Sequence, residues 1–127
     1  MCSPDTYRCG GPRRDKKRLL IGTVRYPPRG VKKADYARLG YYDVWFPVLA
    51  PSKELIKEFK SREQGTKTYA WFKREYKREL KVSTEARDGI ALVAEVAKRL
   101  PVSIGCYCED ENYCHRKILL EEILKSK

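Results

Sequence analysis

Apolar and polar positions change rhythm several times along this chain, and each change predicts an element. Residues 18–24, RLLIGTV, are a short unbroken apolar run, the signature of a buried strand. The following RYPPRG ends it, because two prolines and a glycine favour a loop. Residues 31–40 keep no clear period and read as a turn or two of helix. Residues 41–50, YYDVWFPVLA, are rich in aromatic and β-branched side chains and predict a second strand, with Pro47 marking an edge or a bend. Ser52 is placed to cap a helix running to about Lys60. After the polar break SREQGT, Tyr69, Phe72, Tyr76 and Leu80 recur at helical spacing and predict a longer helix over about 67–81. Ser83 or Thr84 caps a third helix through Arg99, which Pro101 stops. VSIGCYC (102–108) is the clearest strand, and Asn112 is placed to cap a last helix to about Lys125.

Residues 1–17 carry charges, two glycines and prolines without periodicity, so they read as a poorly ordered basic arm before a single domain over 18–127. Strands alternating with helices predict an α/β fold: a compact three-layer domain with a small, mainly parallel sheet flanked by helices. Three strands are few, which points to a fourth hidden in 31–40. In such folds ligands lie beyond the carboxyl ends of the strands. Those ends deliver Arg25, Arg29, the Ser52 cap and the stretch 106–116.

That stretch opens CYCEDENYCHR, three cysteines with the chain's single histidine. Cys106, Cys108, Cys114 and His115 are zinc-type ligands. Adjacent residues on a helix, however, diverge by about 100°, and the paired C-x2-C knuckles of the well-marked zinc motifs are missing. A second reading makes Cys114 a nucleophile activated by a helix N-terminus beside His115 and Arg116. A third makes the helix start an anion pocket with His115 and Arg116, to which Arg25 and Arg29 add bidentate contacts. Against all three, Cys106 and Cys108 also suit a buried strand as small apolar residues.

Charge changes the picture next. The 127 residues carry 28 Lys and Arg against 17 Asp and Glu, a formal +11, which favours polyanionic partners or small phosphorylated ligands. Part of the excess lies on the 67–81 helix, where Lys73, Arg74, Lys77, Arg78 and Lys81 adjoin the apolar stripe as like-charge neighbours. Trp71 beside them suits either packing or stacking on a base. No apolar run reaches the roughly 20 residues of a membrane span, and the N-terminus does not read as a signal peptide. The expectation is a cytoplasmic protein without membrane partners. Gln64 and Asn112 are the only side-chain amides, a thermophile-like bias, which leaves a Cys2–Cys9 disulfide open.

The motifs PRGVKK (28–33) and LAPSKEL (49–55), and the spacing of Phe72, Tyr76, Glu79 and Leu80, resemble the YeaO-like group of domain-of-unknown-function family 488. The closing CYCEDENYCHR is similar to the Cys-His-Arg ending of other branches of that family. Thr23-Val24-Arg25 resembles the family's Asp-x-Arg, with threonine in place of the acid. The resemblance implies a polar active or ligand site at Arg25, Arg29, Cys114, His115 and Arg116.

The sequence therefore predicts a protein that binds or processes a phosphorylated or nucleotide-like ligand at the strand ends. Arg25, Arg29 and Arg116 would hold the anion, with Cys114 and His115 as the catalytic candidates and His115 a near-neutral proton shuttle. No cofactor is predicted, with zinc left open. Two alternatives stand beside it. One is a nucleic-acid module using Lys73, Arg74, Lys77, Arg78 and the N-terminal arm. The other is a structural zinc site built on Cys106, Cys108, Cys114 and His115.

Overall fold

The computed structural model describes residues 4–11, 17–107 and 114–126. Four strands, β1 (Asp5–Arg8), β2 (Leu19–Gly22), β3 (Val44–Trp45) and β4 (Val102–Cys106), form one sheet in the order β1-β4-β2-β3, and every neighbouring pair is parallel. Four helices follow, α1 (Lys53–Ser61), α2 (Thr66–Val82), α3 (Thr84–Ala97) and α4 (His115–Lys125). The α/β fold expected from the alternation is the observed one. None of these helices is long and apolar enough to cross a membrane.

The sheet corrects the reading of the N-terminus. The fourth strand does not come from residues 31–40, which hold only a 3-10 turn at Lys33–Asp35. It is β1, taken from the segment read as an arm. Asp5 through Arg8 pair with Ser103 through Cys106, and an ion pair between Arg18 and Asp5 at 3.2 Å ties the strand to the start of β2. Period-two alternation is invisible in four residues, which is why the strand was missed.

The 41–50 run yields only the two-residue edge strand β3. Pro47 ends it by opening a second 3-10 turn, Pro47–Leu49. Asp43 extends the pairing with its side chain, accepting the Leu20 N–H at 2.9 Å.

Capping sets the helix starts as the sequence suggested in two cases. Ser52 Oγ accepts from Leu55 N, and Ser83 Oγ from Ala86 N, each at 3.1 Å. The last helix differs. Its cap is Cys114, in extended backbone, while Asn112 lies outside the described residues together with Cys2 and Cys108.

All four helices pack one core onto the sheet face carrying Leu19, Ile21, Val102 and Ile104. The opposite face is closed by a thinner layer in which Tyr7, Tyr36, Tyr41 and Tyr42 surround Leu20 and Cys9. Two glycines make that layer possible. A Cβ on Gly22 would collide with the Tyr42 ring, and one on Gly105 would come within 2.5 Å of the Tyr7 ring. Because the sheet is parallel throughout, Arg8, the Thr23–Arg25 segment and Cys106 all emerge at one edge, where α4 begins.

Candidate functional site

At this edge the chain folds back on itself through hydrogen bonds between α2 and the segment leading into α1. The buried Tyr76 hydroxyl donates to the Leu49 carbonyl. The Glu79 carboxylate accepts Ser52 N–H at 2.9 Å and Ser52 O–H at 2.5 Å. Arg25 reaches the same segment, its Nε and Nη2 each 3.1 Å from the carbonyl oxygens of Pro51 and Ala50. The sequence reading made Arg25 an anion ligand. Its position instead clamps the residues before α1, with one side still on the site.

Behind this frame sit Cys106, Cys114 and His115. Cys106 ends β4 and Cys114 caps α4, and both are 1% exposed. Their sulfur atoms are joined as a disulfide, although the Cα atoms stand 7.8 Å apart. An ordinary disulfide spans about 4.4–6.8 Å between Cα atoms, so these two backbones are set wider apart than usual. His115 is held from both sides. Its Nε2 donates to the Thr23 carbonyl at 2.7 Å, with the Thr23 hydroxyl 3.3 Å away. The edge of its ring meets the Tyr76 ring at 5.6 Å between centroids. With the proton fixed on Nε2, the Nδ1 lone pair points to Cys114 Sγ, 3.9 Å away. Tyr69 donates to the Cys114 carbonyl at 3.0 Å and fixes that residue as well.

Electrostatics changes the role expected of His115. Burial pushes its imidazole down to about 4, outweighing the Thr23 hydrogen bond that favours the charged form, and the charges of Arg116 and Arg25 push the same way. At neutral pH it is an unprotonated base or ligand rather than a near-neutral shuttle. Arg116 is also placed differently from the sequence expectation. It is 5% exposed and extends Nη1 toward Cys106 Sγ at 3.7 Å.

Two cavities open above these groups. The smaller, about 240 Å³, has Cys106, Cys114, His115 and Arg25 in its wall with Phe59 and Phe72. The larger, about 890 Å³, is lined by Arg8, Arg29, Tyr41 and the backbone of Gly10 and Gly11. Tyr26 and Tyr107 belong to both walls, and the Tyr107 hydroxyl donates to the Tyr26 carbonyl at 3.0 Å. Arg29 therefore stands next to the cysteine–histidine cluster but in a separate recess. Arg8, the tyrosines and the Thr23 carbonyl were not foreseen. Arg8 lay in the segment read as an arm, and a main-chain acceptor has no residue type to betray it.

The basic face of α2 is less bare than the sequence suggested. Arg78 pairs with Glu75, and Lys73 lies 4.0 Å from Glu121, while Arg74 and Lys81 are exposed. Trp71 packs against the main core with the Arg62 guanidinium 3.7 Å over its ring, so one face of that ring is already covered.

Neither a characterised protein nor a solved structure was found to match the chain. A family model does, from residue 4 to residue 127, spanning the strand ends, both cavities and the cysteine–histidine cluster. The chain belongs to the family that this model describes, the Active DUF488-N3 subclade, DUF488-N3a.

Proposed function

We propose that the protein binds or processes a small phosphorylated ligand with a planar, nucleotide-like body. The ligand lies along the paired cavities, its reacting end toward Cys114 and His115. The observation that carries this reading is the shared wall of Tyr26 and Tyr107. It sets two exposed arginines, Arg8 and Arg29, and a group of tyrosine rings beside a buried cysteine–histidine cluster. Arginine forks suit phosphate oxygens, and aromatic faces suit a planar ring. The larger cavity falls in the roughly 300–1,000 Å³ range of small-molecule sites. Arg29 keeps the anion-binding part first given to it. Arg8, whose Nε also donates to the Tyr107 carbonyl at 3.3 Å, takes the part first given to Arg25 and Arg116, which are engaged within the frame.

Thermal shift of the full chain with adenosine monophosphate, pyrophosphate and inorganic phosphate tests the assignment. Stabilisation by the nucleotide, at least halved in Arg8→Ala and Arg29→Ala and kept in Arg78→Glu, is the expected result. If no phosphorylated compound stabilises the protein, the reading fails. If Arg78→Glu lowers binding as much as the cavity variants do, and an oligonucleotide competes, the basic helix is the interface instead.

A further inference from the structure

Cys106, Cys114 and His115 together make up a donor set that the ligand reading uses only as a cavity floor. Among the described residues they are the one group of three metal-type donors that converges, with the two sulfurs and an imidazole nitrogen all within 4.8 Å of one another. Ligands bound to one tetrahedral zinc at about 2.3 Å for sulfur and 2.05 Å for nitrogen stand roughly 3.6 Å apart. The 3.9 Å between Cys114 Sγ and His115 Nδ1 is close to that value, whereas the two joined sulfurs would have to separate to reach it.

We propose that Cys106 Sγ, Cys114 Sγ and His115 Nδ1 hold one thiophilic divalent cation of the zinc class, with its fourth position open to the smaller cavity.

Four observations support the site independently of the ligand. The Nε2–H bond from His115 to the Thr23 carbonyl is the outer contact that metal-bound histidines make, and it presents Nδ1 as the donor. The objection that neighbouring helical residues diverge does not apply, because Cys114 is outside the helix, with φ −125° and ψ 149°. With the Cys106–Cys114 pair reduced, the 7.8 Å between their Cα atoms, wider than in an ordinary disulfide, leaves room for a shared ion. Two sulfurs and one nitrogen form a soft donor set that favours zinc over magnesium or calcium. Because all three residues line the 240 Å³ cavity, a fourth ligand from solvent or substrate can reach the ion, as in catalytic zinc centres. The inference deepens the proposed function by placing a Lewis acid where the ligand's reacting end would lie.

The test is a cobalt titration of the metal-stripped, reduced full chain, read by absorption and by tryptophan-independent circular dichroism for folding. One equivalent of cobalt should produce sulfur-to-cobalt charge-transfer and tetrahedral ligand-field bands, which zinc then bleaches. Cys106→Ser, Cys114→Ser and His115→Ala should each weaken binding by about 100-fold or more while keeping the helical spectrum. If a variant unfolds, the wild-type spectrum still decides, since its band positions report sulfur ligation. Absence of the charge-transfer band overturns the proposal, and a thiol count two short on protein prepared without reductant would then assign the pair to a disulfide. A band insensitive to the three variants places the ion elsewhere and overturns it equally. Loss of the band in Cys108→Ser would close the fourth position and overturn the open-site part. Nucleotide stabilisation measured on the metal-stripped protein separates the two ideas. If it persists without a cobalt signal, the metal falls and the ligand reading stands, and the reverse pattern does the opposite.

Discussion

Replacing Tyr76 with phenylalanine should cost about 2 kcal/mol of stability, through one oxygen atom. Tyr76 is 0% exposed, and its hydroxyl donates to the carbonyl of Leu49, a residue that is also 0% exposed. Phenylalanine keeps the ring, its stacking on Phe72 at 5.9 Å and its edge contact with His115. Packing is therefore almost unchanged, and the loss is confined to the hydrogen bond. A buried carbonyl left unpaired costs about 1–3 kcal/mol, because water cannot reach it as a substitute. Tyr69→Phe provides the control. That hydroxyl also donates to a carbonyl, Cys114 O at 3.0 Å, but Tyr69 is only half-buried. Cys114 is itself 1% exposed, so the difference rests on water reaching its carbonyl past the half-buried Tyr69, which should hold the cost below about 1 kcal/mol.

Urea denaturation followed by circular dichroism measures both, with equal slopes required for the comparison to hold. At this chain length 1 kcal/mol corresponds to about 4 °C in Tm, so Tyr76→Phe should melt about 8 °C below the wild type. A change under about 0.5 kcal/mol, or a Tyr69→Phe cost equal to that of Tyr76→Phe, would refute the argument that burial sets the price here. The effect should also reach the site. The Leu49 carbonyl lies one residue before the Ala50 and Pro51 carbonyls that Arg25 holds.

Gly22→Ala should destabilise by more than about 2 kcal/mol, since its Cβ would enter the Tyr42 ring; Gly30→Ala, with φ +73° and open space around it, should cost only about 1 kcal/mol by chemical denaturation. Stability should fall on the alkaline side. Burial pushes Cys9 up from 9.0 to about 11 and Tyr42 from 10.0 to about 12, and raises Tyr107 and Tyr76 in the same direction. Between pH 9 and 12 the unfolded chain has lost these protons while the folded chain keeps them, so stability is complete below pH 9 and declines as pH rises; a flat melting profile from pH 8 to 11 would contradict this. For the same reason Cys9 should alkylate at pH 8 far more slowly than in urea, as followed by mass spectrometry. Arg62→Ala should uncover the Trp71 ring and cost about 0.5–1 kcal/mol, seen as a red shift in tryptophan emission.

The hydrophobic pattern carried the helices well. The 69–72–76–80 stripe and the Ser52 and Ser83 caps lie where spacing put them, because periodic burial and a capping hydroxyl are both properties of residue type. What the pattern could not carry was anything held by partners far along the chain. β1 is four residues long and exists because β4 offers it an edge. The Glu79–Ser52 and Tyr76–Leu49 bonds join motifs 27 residues apart, and each motif alone looks like an ordinary helix or turn.

The sharpest example is the boundary between Cys114 and His115. Residue types alone offered metal, thiol and anion chemistry at this point, and the choice turned on whether the two side chains could face one target. Inside a helix they diverge, and the metal reading weakens. With the helix starting at His115, two residues later than an Asn112 cap would start it, Cys114 is extended, and its sulfur and the His115 nitrogen come within 3.9 Å. A shift of two residues is finer than any reading of helix ends from sequence resolves. It decides whether the two side chains can face one point all the same, because their convergence is set by backbone torsion at a single position. The Thr23 carbonyl then completes what composition could not show, turning the histidine so that its lone pair faces the sulfur.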